Sequence, residues 1–193
     1  MKKKTYCIIG RKRVGKDLTA DYICKKTGCK KYALATPLKE MVCNMTGITM
    51  EQLDRFKNEH WDFDVSREDR LGGLNISFRS ILQKAGDEMK GFFGLDCYMH
   101  KFHSKLLHED VIVIPDVRLK EEQEWLLNNT NPIFIKVVRD VEKDKDSSHR
   151  TETEVDKLGY DILIENNGTI EELYKKIDKI LSVKSFPLEE SKL

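Results

Sequence analysis

The sequence predicts an α/β fold in three layers, a parallel sheet flanked by helices, and three observations predict it. Apolar runs of strand length alternate along the chain with stretches of helical periodicity. The first run, ending at Ile9, passes straight into Gly10 and then into a helical stretch, which is how a βα unit opens. A later run, Val111-Ile112-Val113-Ile114, is apolar at every position, as a strand with helices on both faces requires.

In chain order, Thr5-Tyr6-Cys7-Ile8-Ile9 is the first strand, and a helix comes next from Lys16 to about Lys26. A short second strand, Lys31 to Ala35, leads through Thr36-Pro37 into a helix from Leu38 to about Thr46. Pro37 suits the first helical turn, where its missing N–H would have no partner anyway. Met50 to Asn75 is polar, ends in Gly72-Gly73, and reads as an excursion from the sheet layer. Trp61 and Phe63 there serve either local packing or base stacking. Ser77 to Met89 and Asp96 to about His108 have helical spacing, and the strand Val111 to Ile114 stops at Pro115-Asp116. Lys120 to Leu127 is helical, Ile133 to Val138 and Asp161 to Ile164 are strands, Glu171 to Leu181 is a closing amphipathic helix, and residues 184–193 are a tail. The polar segment Arg139 to Lys157 is either a solvated loop or a mobile lid.

The 193 residues suit one domain with a sizeable core. Lys and Arg number 34 against 33 Asp and Glu, which argues against stable nucleic-acid binding and against a polybasic membrane binder. No apolar run approaches the ~18 residues of a membrane span, and the stretch between Lys4 and Arg11 is too brief for a secretory signal. Cys7, Cys24, Cys29, Cys43 and Cys97 form no even disulfide set and no C-x-x-C pair, so reduced thiols in a cytoplasm are expected. Cys24 and Cys29 lack partner ligands for a metal, despite His100, His103 and His108 elsewhere.

Gly10-Arg11-Lys12-Arg13-Val14-Gly15-Lys16 matches G-x-x-x-x-G-K, a phosphate loop whose backbone amides wrap terminal phosphates while the Lys reaches their β- and γ-oxygens. It succeeds a predicted strand and opens a predicted helix, the context that mechanism requires. Asp17 stands where Ser or Thr usually holds magnesium. A carboxylate is a harder oxygen ligand for that ion, and Arg11, Lys12 and Arg13 can offset its charge. The plainer reading leaves Asp17 in the first helical turn, favoured by the helix dipole. Thr19 either caps or meets the α-phosphate.

Asp116, just past an apolar strand, is placed to hold magnesium or its water, with Arg118 two residues on where ligands of α/β sheets bind. An internal Asp116–Arg118 pair is the alternative. Asn166-Asn167-Gly168-Thr169 makes a turn with Thr169 as N-cap and Glu172 completing a capping box. An adenine contact is its functional reading.

Taken in order, Gly10 to Asp17, Pro37-Leu38-Lys39-Glu40, Arg79 through Leu82-Gln83-Lys84-Ala85-Gly86, Pro115-Asp116-Val117-Arg118, His149-Arg150-Thr151-Glu152 and Asp161 to Thr169 resemble the bacteriophage deoxynucleoside monophosphate kinases. The resemblance spans residues 4 to 180 or so. Animal-type phosphomevalonate kinases are also similar, including a basic loop ending in Gly-Lys-Asp, but the Leu-Gln-x-x-Gly and His-x-x-Glu pieces favour the nucleotide enzyme.

The resemblance implies a three-layer P-loop kinase with a monophosphate-binding region near 36–90 and a lid near 139–157. It implies γ-phosphoryl transfer from ATP, with Mg2+, to a deoxynucleoside monophosphate, in the host cytoplasm if the chain is of phage origin. The donor is then held by Gly10, Arg11, Lys12, Arg13, Val14, Gly15, Lys16, Asp17, Leu18 and Asn166. The acceptor is held by Thr36, Lys39, Arg79, Lys84, Asp116, Arg118, His149 and Glu152. Lys16, Arg118, Arg139 and Arg150 act on the transferred group, and Asp17 and Asp116 take the metal. Partners are these small molecules, with a homodimer allowed. Rival readings are a phosphometabolite kinase, a nucleotide-hydrolysing switch, for which the guanine-reading N-K-x-D is missing, and a nucleic-acid-binding module.

Overall fold

The alternation of apolar runs becomes a sheet whose strands all point the same way. The computed structural model describes residues 2–56, 78–94, 97–106, 108–140 and 154–182. Among these, β1 (Lys4–Ile9), β2 (Lys30–Lys31), β3 (Val111–Val117), β4 (Asn131–Val138) and β5 (Ile162–Glu165) pair in parallel in the order β2-β3-β1-β4-β5. The helices are α1 (Lys16–Thr27), α2 (Thr36–Thr46), α3 (Met50–Phe56), α4 (Phe78–Phe93), α5 (Cys97–Leu106), α6 (Lys120–Asn129) and α7 (Ile170–Ser182), with a 3₁₀ turn at Val155–Lys157.

Alternate residues of a strand face opposite sides, so a strand covered on both must be apolar throughout. Tyr6 and Ile8 of β1 join Val113, Ile135, Val137 and Ile164 on one face, against Ala20 and Ile23 of α1 and Leu173, Ile177 and Ile180 of α7. Cys7 and Ile9 join Ile112, Ile114 and Phe134 on the other, beneath Met99 and Phe102 of α5 and Leu126 of α6. Helix, sheet and helix make the three layers that the sequence predicts.

The chain divides into two compact units, one running to Leu34 and resuming at Met99, the other Ala35–Tyr98. In the second, α2, α3 and α4 bury Val42, Cys43, Leu53 and Phe78 together. Among the described residues no helix is long and apolar enough to cross a membrane.

Three elements differ from expectation. The strand expected over Lys31 to Ala35 is only Lys30–Lys31. The Leu34 N–H donates to the Asp116 carboxylate at 2.8 Å instead of joining the ladder. β3 does not stop before Pro115-Asp116 but runs through Val117. Cys7 pairs with Ile114 and Ile9 with Val117, so Ile8 faces the two residues Pro115 and Asp116. This bulge accommodates a proline, which has no N–H for the ladder. Finally, the polar stretch from Met50 begins with α3. Thr49 and Gln52 cap it reciprocally, Gln52 N–H donating to Thr49 Oγ1 at 3.1 Å and Thr49 N–H to Gln52 Oε1 at 2.8 Å.

Ile8 is fully buried at the centre of the sheet. Ile8→Ala is expected to cost about 2–5 kcal/mol of unfolding free energy, measured by urea denaturation, because the surrounding strands relax only partly around the cavity.

Candidate active site

Parallel strands end together, so Gly10, Arg118, Arg139 and Asn166, each just past a strand, lie along one edge of the sheet. Register fixes this, with Ile9 opposite Val117 and Lys136, and Val138 opposite Glu165. Helices on opposite faces carry the chain away from β1 and into β4, which makes the edge around β1 the place where ligands of open α/β sheets bind.

The loop leaving β1 is sharply constrained. A Cβ on Gly10 would sit 2.4 Å from the Val137 carbonyl oxygen, and one on Gly15 would sit 2.5 Å from Asn166 Nδ2. Gly15 has φ 101° and Arg13, which is not a glycine, φ 66°. Left-handed residues in such a turn direct successive N–H groups to one side and form an anion-binding concavity. Lys16 opens α1, is buried, and its Nζ donates across the loop to the Arg11 carbonyl. Thr19 lies one turn into α1 and is buried, and its hydroxyl donates back to the Gly15 carbonyl at 3.0 Å, so it does not cap the helix.

Among the other expected donor contacts, Arg11 reaches sideways, Nε lying 3.1 Å from both carboxylate oxygens of Asp156 and Nη2 also donating to Oδ2. Lys12 is half-buried, Arg13 exposed, and Leu18 packs against the core between α1 and the sheet. Asn166 is buried, and its Nδ2 donates to the Val14 carbonyl at 2.9 Å.

Asp116 is half-buried and accepts the Leu34 N–H, which fixes its carboxyl. Arg118 is half-buried, and its backbone N–H donates to Glu122 Oε2 at 2.9 Å. Arg139 is exposed just beyond β4. In the other unit, Thr36 begins α2, half-buried Arg79 and exposed Lys84 lie on α4, and Lys39 Nζ donates to Asp54 Oδ1 at 2.7 Å. His149, Arg150, Glu152, Trp61 and Phe63 lie outside the described residues.

Sequence reasoning missed Asp156 and Glu122. Glu122 had a legible signal, an acid at the third position of α6 that reaches back to the Leu119 N–H at 3.1 Å. Asp156 had none, since it meets Arg11 only through the fold.

Asp17, exposed in the first turn of α1, and Asp116 at the end of β3 are hard oxygen donors of the kind magnesium takes one or two of, beside phosphate oxygens. The residues present therefore fit that ion. Among the described residues no group of three or more His, Cys, Asp or Glu could hold a metal alone, so phosphate would supply the remaining ligands.

A strand, a constrained glycine loop, a buried Lys and a helix in that order define a phosphate-loop protein with its site at the carboxyl edge of the sheet. A family model described as deoxynucleotide monophosphate kinase matches residues 4–93 and 87–177. The chain belongs to this family, and it is an enzyme, a nucleotide kinase. The deoxynucleotide monophosphate kinase of Enterobacteria phage T4 is 25% identical, over 93% of this chain and 99% of its own. A relative from Acanthamoeba polyphaga mimivirus is 26% identical over 88% of this chain and 92% of its own. Among solved structures, dephospho-CoA kinase from Campylobacter jejuni is similar at a TM-score of 0.47 and 14% identity, covering 92% of this chain and 96% of that one.

The Arg11–Asp156 pair is partly exposed, at 37% and 45%. Asp156→Ala is therefore expected to change stability by no more than about 1 kcal/mol, read from urea unfolding. Gly10→Ala, which drives a methyl into a backbone carbonyl, is expected to cost roughly 1–3 kcal/mol. Equal losses in the two variants would contradict the geometry described.

Proposed function

We propose that the protein transfers the γ-phosphoryl group of ATP to a deoxynucleoside monophosphate, giving the diphosphate and ADP. The observation that carries this reading is the shape of the Gly10–Lys16 loop at the central strand's carboxyl end, with Lys16 buried at its mouth. The family match supplies the acceptor class.

Two polyanions must be held with their reacting groups in line, which calls for cations on both sides of the transferred phosphoryl. Lys16 and the loop amides hold the donor. An ionised oxygen of the acceptor monophosphate attacks the γ-phosphorus while the bond from that phosphorus to the β–γ bridging oxygen breaks. No side chain has to remove a proton. Arg118, whose backbone Glu122 fixes, takes the acceptor phosphate, because a guanidinium grips phosphate through two parallel N–H groups. By the family pattern, Arg79 serves the acceptor as well. Arg139, with Arg150 and His149, stands on the segment proposed as a lid over residues 139–157. Magnesium, held by Asp17 and Asp116, would neutralise charge on the donor's β- and γ-oxygens.

A coupled ADP-release assay across dGMP, dTMP, dCMP, dAMP, their ribo forms and phosphomevalonate tests the proposal. Turnover is expected with one or more deoxynucleotides, and turnover with phosphomevalonate alone would sink it. Lys16→Ala is expected to keep the fold and lower turnover by roughly two to three orders of magnitude or more. Asp17→Asn and Asp116→Asn are each expected to raise the magnesium concentration needed for half-maximal rate, and an unchanged requirement in both would leave these carboxylates structural.

A further inference from the structure

We infer that Asn166 is a positioning residue that aims the Gly15 N–H into the phosphate loop, and so prepares the loop for the donor's phosphates without touching adenine. The inference rests on the phosphate-loop reading of Gly10–Lys16 and goes beyond it. Asn166 belongs neither to that loop nor to α1, so the brace reaches the Val14–Gly15 peptide from a separate part of the chain.

The peptide between Val14 and Gly15 is a rigid plane. It is trans, since the described residues contain no cis bond, and in a trans peptide the C=O and the adjoining N–H point in opposite directions. Asn166 Nδ2 holds the Val14 oxygen at 2.9 Å, so the Gly15 N–H is turned away from Asn166. The plane on the other side of Gly15 is fixed as well, because its carbonyl accepts both the N–H and the hydroxyl of Thr19, each at 3.0 Å. Gly15, at φ 101°, is thus gripped on both sides, and Asn166 lies so close that a Cβ on Gly15 would meet its amide nitrogen at 2.5 Å.

A brace works only if it is itself immobile. Asn166 is 7% exposed, and its own N–H donates to the Val138 carbonyl at 2.8 Å, continuing the β4–β5 ladder. Next along the turn, Asn167 exchanges two hydrogen bonds with Asp140, its Oδ1 accepting the backbone N–H and its Nδ2 donating to the carboxylate, both at 2.8 Å. Thr169 and Glu172 then cap α7 reciprocally. The side chain emerges from a turn pinned at both ends, and one N–H of its amide is given to the loop carbonyl.

Calorimetric titration with ADP and with inorganic tripolyphosphate, which has no base, separates the two roles. In Asn166→Ala, and in Asn166→Leu, which keeps the side chain's bulk, both ligands are expected to bind about tenfold more weakly, roughly the loss of one net hydrogen bond. Turnover should fall while the Michaelis constant of the acceptor stays unchanged. A melting curve checks the fold, and the Leu variant decides if the Ala variant is not folded at the assay temperature. Weakening of ADP with tripolyphosphate unchanged would mean that Asn166 touches adenine, and it overturns the inference. Unchanged binding of both ligands in a folded variant also overturns it. Near-normal turnover by Lys16→Ala would instead remove the phosphate-loop reading itself, a separate failure visible without any Asn166 variant.

Discussion

β1 is hydrogen-bonded along its length to β3 on one side and β4 on the other, and the site depends on that double pairing. A strand held on both edges and covered on both faces cannot shift, so the point where the chain leaves it is defined in space. Gly10 is that point. Because it lacks a Cβ, the chain can pass the Val137 carbonyl at once and enter a tight turn instead of arching over β4. The β-bulge of β3 at Pro115-Asp116 lies at the same edge beside β1.

Beyond Gly10 the chain forms a loop held from within by the Lys16 bond to the Arg11 carbonyl and from outside by other segments. Left-handed backbone at a non-glycine residue such as Arg13 carries a cost of order 1–3 kcal/mol and persists only where the surroundings enforce it. Around the loop, Val137 of β4 crowds Gly10, Asn166 of the turn after β5 bonds Val14, and Thr19 of α1 bonds Gly15. Separate parts of the chain thus converge on the short segment from Gly10 to Lys16. Donors fixed before the ligand arrives need no reorganisation when charge develops, which is the form of electrostatic stabilisation that phosphoryl transfer relies on. The charges are managed as well. Arg11 is engaged by Asp156 and Lys16 by a loop carbonyl, so these two cations have defined directions.

The Ala35–Tyr98 unit is built differently. Its core of Val42, Cys43, Leu53 and Phe78 is small, and within it Lys39 bonds Asp54. A unit with a core of its own can vary its exposed residues without losing that core.

Much of this was legible from the sequence because the relevant signals are local. Strand-length apolar runs, the glycine pair spaced around a basic turn, Lys16 at a helix start and the Thr169–Glu172 capping box are each written within a few residues, and apart from the short second strand and the end of β3 the structure places them as read. α3 is written as locally, in Thr49 and Gln52, but the polarity of the residues from Met50 onward masks that cap. Tertiary structure alone decided the partners of groups far apart in the chain. That the Asn166 amide bonds the Val14 carbonyl, that Asp156 takes Arg11 and that Asp116 ends the second strand early by claiming the Leu34 N–H depend on strand order and register. The physical reason is that a hydrogen bond requires two groups within ~3 Å, and only the packed parallel sheet brings residues from distant segments that close.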